Sequence, residues 1–401
     1  MSATTSAAPS HAEMRAYLRG FPEDLAASTV RALDWVHRLS GRVPGLGHAA
    51  GLGDTRRASG AAAVERRDRR SSTRGSRAGD DPGRNLGRRP RALALAGVGG
   101  SAVAGDLARA LLLPESPVPF EVVRDYRLPG WVNNEALLLA SSYSGDTEET
   151  LAAVGEAAAR GVPVWAVTSG GALAARARAQ GWPLFDLPGG LPPRAALGHV
   201  LPPVLLASTL AAGLRFEREA EALLSAVPRL AEQVEAWVSE TGPNLAREIA
   251  GRVADGLPVL YAGTGLYEPA AVRWRAQLAE NAKMLALHHV LPEMNHNEIV
   301  GWQQNPDLLR RCHVLLLTGS HEHPRVARRI ALTAAALRPW AGSVEVVRAP
   351  AGPAAEELLA LIVLGDWVSL YAAAEHGVDP VPVERIREIK AALAADAGTS
   401  P

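Results

Sequence analysis

ALALAGVGGSAVAGDLARALLL, residues Ala92–Leu113, places a short apolar run, a glycine cluster and a helix-forming run in immediate succession. Ala92–Ala96 carries no charge and meets glycine after five residues, which reads as a strand buried on both faces. Gly97, Gly99 and Gly100 allow a tight turn, and Ala102–Leu113 is rich in alanine and leucine, the strongest helix formers. Strand, tight turn and helix open a βαβ unit. Working outward, Phe120–Val123, Ala136–Ser141, Val162–Thr168 and Pro183–Leu187 read as further strands, alternating with helices at Thr147–Ala159 and Gly171–Ala179. The pattern then recurs: a strand at Leu257–Gly263 ending in Gly263-Thr264-Gly265, a helix at Glu268–Met284, a strand at His313–Thr318, a helix at Pro324–Leu337, a strand at Ser343–Val347 and a helix at Ala354–His376. Two halves that open alike point to an internal duplication and predict an α/β fold of two doubly wound domains, with parallel sheets flanked by helices.

The rest of the chain falls around these halves. Residues 11–40 have helical apolar spacing through Met14, Leu18, Leu25, Val30, Leu33, Trp35 and Val36, and Leu201–Val238 is largely helical. The expected organisation is a helical segment at 1–45, an Arg/Gly-rich disordered linker at 46–90, a first α/β domain at 91–215, a helical connector at 216–249, a second α/β domain at 250–376, and a C-terminal helix and tail at 377–401. A length of 401 residues fits two domains.

Composition excludes several classes. With 47% hydrophobic and 21% charged residues the chain is globular in character. Its longest apolar runs, such as Ala136–Ala140 and Val314–Leu317, fall far short of a membrane span, and Met1–Gly20 lacks the basic and apolar regions of a secretory leader. One cysteine, Cys312, makes no internal disulfide and suits the cytoplasm. Net charge is zero, but Gly51–Arg91 holds 12 arginines against five acids, leaving the remainder at −7. That basic block has no aromatic residue and little apolar periodicity, which argues for a solvated linker over a folded nucleic-acid reader. Only two of the 42 cationic residues are lysines, Lys283 and Lys390, either as remnants of an arginine-biased codon usage or as places where a compact ammonium is wanted.

Two loops are suited to an anion. Gly97-Val98-Gly99-Gly100-Ser101 lies between strand and helix, where backbone N–H groups face outward, and it also fits the dinucleotide pattern Gly-x-Gly-x-x-Ala with Glu121 about 20 residues on. The alternative is a plain βα turn. Ser141-Ser142-Tyr143-Ser144-Gly145-Asp146-Thr147 follows a strand and opens a helix, bringing three hydroxyls, Ser142, Ser144 and Thr147, to one helix N-terminus. A helix cap needs one hydroxyl, with Glu149 closing a capping box, so the excess points to a phosphate. The densest polar stretch runs from Glu280-Asn281-Ala282-Lys283 through His288-His289 to Glu293-Met294-Asn295-His296-Asn297-Glu298, just before the apolar Ile299–Trp302. Glu280 falls off the apolar side of its helix, marked by Trp274, Leu278 and Leu285, so an ordinary ion pair with Lys283 competes with an acid–base role. No metal-binding histidine spacing is present, and neither a metal nor a cofactor is expected.

Gly97–Asp106, Ser141–Thr150, Glu280–Trp302 and the run Glu-His-Gly-Val-Asp-Pro at Glu375–Pro380 together resemble the bifunctional phosphoglucose/phosphomannose isomerases of the sugar isomerase (SIS) superfamily. The resemblance spans roughly residues 91–393, and ENAK…HNEIVGW is its most specific part. It implies two SIS domains, a homodimer whose active site lies at the domain and subunit boundary, and conversion of glucose 6-phosphate, and often mannose 6-phosphate, to fructose 6-phosphate through a cis-enediol(ate). By the same resemblance, Gly99, Gly100 and Ser101 contact the substrate while Ser142, Ser144 and Thr147 hold its phosphate. Glu280 resembles the base moving a proton between C1 and C2, His296 the histidine that assists ring opening from the neighbouring subunit, Lys390 its ring-opening partner, and Arg194 the cation that stabilises the enediolate. The chain departs from the family pattern in three places: the inserted Leu46–Pro90, Asp146 where asparagine is common, and Val381–Val383, which lacks the hydroxyl expected there and counts against mannose 6-phosphate. A sugar-phosphate-binding regulator would lack the acid–base residues. An NAD-dependent oxidoreductase built on Gly97–Ala102 would leave the serine loop unexplained.

Overall fold

The computed structural model describes residues 9–41, 89–239 and 241–396. Helices α1 (Pro9–Arg19) and α2 (Phe21–Ser40) lead into a first set of elements: β1 (Ala92–Ala96), α3 (Gly100–Leu112), β2 (Phe120–Val123), β3 (Ala136–Ser141), α4 (Glu148–Ala159), β4 (Val164–Thr168), α5 (Gly171–Gln180) and β5 (Leu184–Asp186). Helices α6 (Leu197–Ala212), α7 (Phe216–Val238) and α8 (Leu245–Val253) follow. The second set is β6 (Leu257–Gly263), α9 (Glu268–Asn281), β7 (Leu287–Leu291), α10 (Pro306–Leu309), β8 (Cys312–Thr318), α11 (Pro324–Leu337), β9 (Ser343–Arg348), α12 (Ala354–Glu375) and α13 (Glu384–Asp396). The stretch 46–90 lies outside the described residues except for Arg89 and Pro90.

Both sheets are parallel throughout, in the orders β2-β1-β3-β4-β5 and β7-β6-β8-β9. β3 and β4 are buried at every position, as central strands covered by helices on both faces must be. Leucines of alternate register, Leu93, Leu95, Leu137 and Leu139, face α2, α3 and α6, whereas Ala94, Ala96, Leu138 and Ala140 face α4 and α5. In the second sheet Leu260, Ala262, Leu315 and Leu317 pack on α9 and α12, and Val259, Tyr261, Val314 and Leu316 on α11. One continuous apolar core joins the helix-bearing faces of the two sheets through α6, α7 and α12.

Four sequence expectations are corrected. Leu287–Leu291, read in the sequence only as part of a polar stretch, is a strand pairing with β6; it sits at a sheet edge, and its two histidines hide the apolar pattern that would mark a buried strand. The helix expected to reach Met284 stops at Asn281, because Lys283 takes a left-handed φ of 56° and turns the chain, which leaves Leu285 71% exposed instead of on the apolar stripe. Val30 is exposed and lies off the buried face of α2. Two helical stretches, Pro193–Ala212 and Ala354–Glu375, are long and apolar enough to cross a membrane, contrary to the reading from apolar runs alone. Their most apolar windows are 94% and 89% buried inside the molecule, as core helices are.

Candidate active site

The order β2-β1-β3 reverses direction between β1 and β3, so a crevice opens outside their carboxyl ends. Both loops suited to an anion lie there. A Cβ on Gly97 would stand 2.8 Å from the Ser141 carbonyl, and one on Gly100 would stand 3.0 Å from that of Pro193. The glycine loop is thus pressed between the serine loop and the turn carrying Arg194, and only a bare backbone fits. No side chain caps α3, whose first turn holds buried Ser101.

The serine loop is internally braced. Ser142 Oγ accepts from the Gly145 N–H at 3.1 Å and lies 2.8 Å from Thr147 Oγ1, while Ser144 Oγ accepts from the Asp146 N–H at 3.3 Å. Thr147 occupies the N-cap position of α4 but its side chain accepts no helix N–H, so the capping reading does not hold for it. Asp146 turns away from the crevice: its Oδ1 accepts from the Ala172 N–H at 2.8 Å, in the first turn of α5. Tyr143 donates to the Pro188 carbonyl at 2.9 Å and accepts from the Leu191 N–H at 3.1 Å, which pins the segment running to Arg194.

Arg194 is 4% exposed on a short 3-10 turn, Pro193–Ala196. Its Nε donates to Asn281 Oδ1 at 2.6 Å, and its Nη2 donates to the carbonyls of Pro380 at 2.5 Å and Val381 at 2.8 Å. Nη1 lies 3.7 Å from Glu280 Oε2, so this edge of the guanidinium faces the carboxylate. Burial lowers the Arg194 pKa and Glu280 works the other way. Behind it, Arg273 forms a two-bond pair with Asp366 at 2.9 and 2.7 Å and donates to the Arg194 carbonyl at 2.9 Å. Gln277 Nε2 also donates to Asp366, at 2.8 Å, and Asn281 Nδ2 donates to Ser369 Oγ at 2.9 Å. Sequence reading missed this scaffold of Arg273, Gln277, Asn281, Asp366 and Ser369. Its one visible signal was the pair Asp366 and Ser369 inside the otherwise apolar run of α12.

Glu280 and Arg194 are therefore brought together, beside Gly100. The alternative, a Glu280–Lys283 side-chain pair, is not formed; Lys283 Nζ donates to the Glu280 carbonyl instead, at 2.5 Å. His296 is not brought to Glu280. It is exposed on a 3-10 turn, Glu293–His296, whose Met294 packs with Tyr261, Leu291 and Trp302, on the sheet face opposite α9. Glu298 braces the same loop by accepting from Tyr261 and pairing with His289 Nδ1 at 2.7 Å. Lys390 is exposed on α13 and makes no hydrogen bond or ion pair with the other site residues.

The matching crevice of the second sheet, between β6 and β8, is filled by carboxylates. Glu357 is fully buried and accepts from Tyr267 OH at 2.5 Å, from the Ser320 N–H at 2.7 Å and from the Gly352 N–H at 3.0 Å. Glu322 lies against Gly263 with one buried oxygen unpartnered, and burial pushes its pKa up to about 7. An anion is thus excluded from the second crevice, and Gly263-Thr264-Gly265 does not duplicate the anion loop. Among the described residues no group of three His, Cys, Asp or Glu stands ready for a metal ion.

Residues 243–393 match the family model described as the bacterial phospho-glucose isomerase C-terminal SIS domain. The bifunctional phosphoglucose/phosphomannose isomerase of Caldicellulosiruptor bescii is 36% identical over 301 residues, covering 75% of this chain and 88% of the relative. That of Aquifex aeolicus is 35% identical over 304 residues, covering 76% and 90%. The structure of tagatose-6-phosphate ketose/aldose isomerase from Escherichia coli matches with a TM-score of 0.62 over 95% of this chain and 96% of that one, at 15% identity, a likeness of fold.

Proposed function

The chain belongs to the bifunctional phosphoglucose/phosphomannose isomerase family, and from that premise we propose that it interconverts glucose 6-phosphate and mannose 6-phosphate with fructose 6-phosphate. The observation that carries this reading is the buried Arg194 guanidinium facing Glu280 at 3.7 Å, beside a glycine loop and a hydroxyl-lined helix N-terminus. Ser142, Ser144, Thr147 and the first amides of α4 take the phosphate. Gly99, Gly100 and Ser101 line the sugar. Glu280 removes the proton from C2 of the open-chain aldose and returns it to C1, while the O2 hydroxyl proton passes to O1, so that the aldehyde becomes a hydroxyl as C2 becomes the carbonyl. One carboxylate suffices for the carbon-bound proton because it leaves and returns on the same side. Arg194 stabilises the enediolate oxygen from a desolvated position, where its charge acts most strongly.

Ring opening falls to His296 and Lys390, with His296 supplied by a second copy in a homodimer. Support for this comes from the sheet that separates His296 from Glu280 within one chain, and from apolar groups left in solvent. Val300 is 65% exposed and Leu287 47%, and Ile386, Ile389 and Leu393 form an exposed stripe on α13. Residues 91–215 and 250–376 act as the two SIS domains of a cytoplasmic enzyme, with no cofactor in the reaction.

The test is a coupled assay on the purified protein with fructose 6-phosphate supplied and both aldose phosphates followed. Both products should form, and Glu280→Gln should lower kcat by about 10²- to 10⁴-fold, the usual worth of a positioned acid–base group, while phosphosugar still raises Tm. A thermal shift without turnover in the wild type would show binding alone and overturn the assignment.

A further inference from the structure

Lys283 is one of two lysines in the chain and stands in a left-handed conformation that side chains other than glycine rarely adopt. Its Nζ donates to the carbonyl of Glu280 at 2.5 Å and to that of Pro382 at 2.6 Å, and it approaches that of Pro380 at 3.5 Å. Arg194 Nη2 takes the Pro380 carbonyl and the Val381 carbonyl. Three successive carbonyls, 380–382, thus point at two cations that also border Glu280. Asp379 Oδ1 accepts from the Val381 N–H at 2.8 Å and completes the turn. Immediately beyond this turn begins α13, whose residues 384–395 are all exposed.

We infer that Lys283 is a positioning residue: with Arg194 it gathers the Pro380–Pro382 carbonyls and so ties the root of α13, and the Lys390 it carries, to the end of α9 that bears Glu280. A lysine suits this place. Its three tetrahedral donors converge on carbonyls arriving from different directions, whereas the planar fork of an arginine addresses acceptors in one plane. The clamp makes the proton-transfer group and the C-terminal helix one unit, although about a hundred residues separate them in sequence. The catalytic consequence rests on the isomerase reading, through the role of Lys390; the clamp itself does not.

The test compares wild type with Lys283→Met and Lys283→Arg in the full chain by two readouts. Hydrogen exchange of the amides from Val383 to Lys390 should speed up by about tenfold or more in Lys283→Met, the loss expected for a charge-assisted hydrogen bond, with part of the protection returning in Lys283→Arg. In the isomerase assay, kcat for fructose 6-phosphate should fall by about tenfold or more on the same grounds, with KM within about threefold because the phosphate loop on β3 is untouched. Unchanged exchange in a folded Lys283→Met protein overturns the clamp, and a rise in KM with kcat intact overturns its catalytic meaning. Should Lys283→Met fail to fold, Lys283→Arg is read alone, and protection and kcat both at the wild-type level overturn the inference. If the wild type turns over no phosphosugar, the isomerase reading fails while the exchange result still decides the clamp.

Discussion

Ser142, Ser144 and Thr147 occupy one loop but not one environment. Ser142 is buried and committed to Gly145 and Thr147, whereas Ser144 is exposed and Thr147 half-exposed. The two accessible hydroxyls are the ones to remove. Ser144→Ala with Thr147→Ala should raise KM for fructose 6-phosphate by about 100-fold or more, from about 1.5–3 kcal/mol for each of two hydrogen bonds to a charged group, and should leave kcat nearly unchanged. An unaltered KM would reduce both to loop bracing. Gly145, between them, adopts a φ of 77°, and a Cβ there would stand 1.8 Å from the Gly170 carbonyl, so the loop's shape depends on a residue with no functional group. The serine motif is legible in sequence because hydroxyls in excess of one cap are conspicuous. The outward turn of Asp146 is not, since its acceptor role depends on α5 arriving beside it.

At the scale of elements, the loops after β6 and β8 differ from their counterparts after β1 and β3 by what fills them. Glu322 stands there with an unpartnered buried oxygen, and burial holds its pKa near 7 against an ordinary 4.5. A carboxyl whose pKa is raised in the folded state contributes full stability below 4.5 and loses it as pH rises through about 7. Glu322→Gln removes that loss. The Tm of the variant should therefore gain on wild type between pH 5 and pH 8, and parallel Tm curves would show that Glu322 stays ionised at no cost. The recurrence of strand, Gly-x-Gly and helix correctly announced a second parallel sheet. It could not announce that the second crevice would be occupied, because Glu322 and Glu357 follow different strands and meet only when β8 and α12 are packed.

Within one chain His296 stands away from Glu280 and Arg194, so the proposed ring-opening role of His296 requires a second copy. The protein should sediment at twice the 42.2 kDa chain mass. Mixing refolded Glu280→Gln and His296→Ala subunits, each inactive alone, should restore about a quarter of wild-type activity. Random pairing makes half the dimers hybrid, and each hybrid has one intact site in two. No recovery on mixing would place His296 outside the partner's site.

Much of this protein is determined locally. Strands Ala92–Ala96, Ala136–Ser141 and Leu257–Gly263 lie where the apolar runs put them, because a parallel strand covered on both faces is composed almost wholly of apolar residues. The serine loop and Glu280 likewise stood out as residue types, whereas Arg194 entered only through the family resemblance. What only the tertiary structure decided is which of them meet. Arg194 reaches Glu280 because the Arg273–Asp366 pair and Asn281, from α9 and α12, hold its carbonyl and its guanidinium. The edge strand Leu287–Leu291 acquires its identity only by pairing with β6. Local pattern specifies elements through burial and backbone freedom, both of which act within a few residues; the site depends on hydrogen bonds between groups tens to hundreds of residues apart, and these exist only once the core has closed.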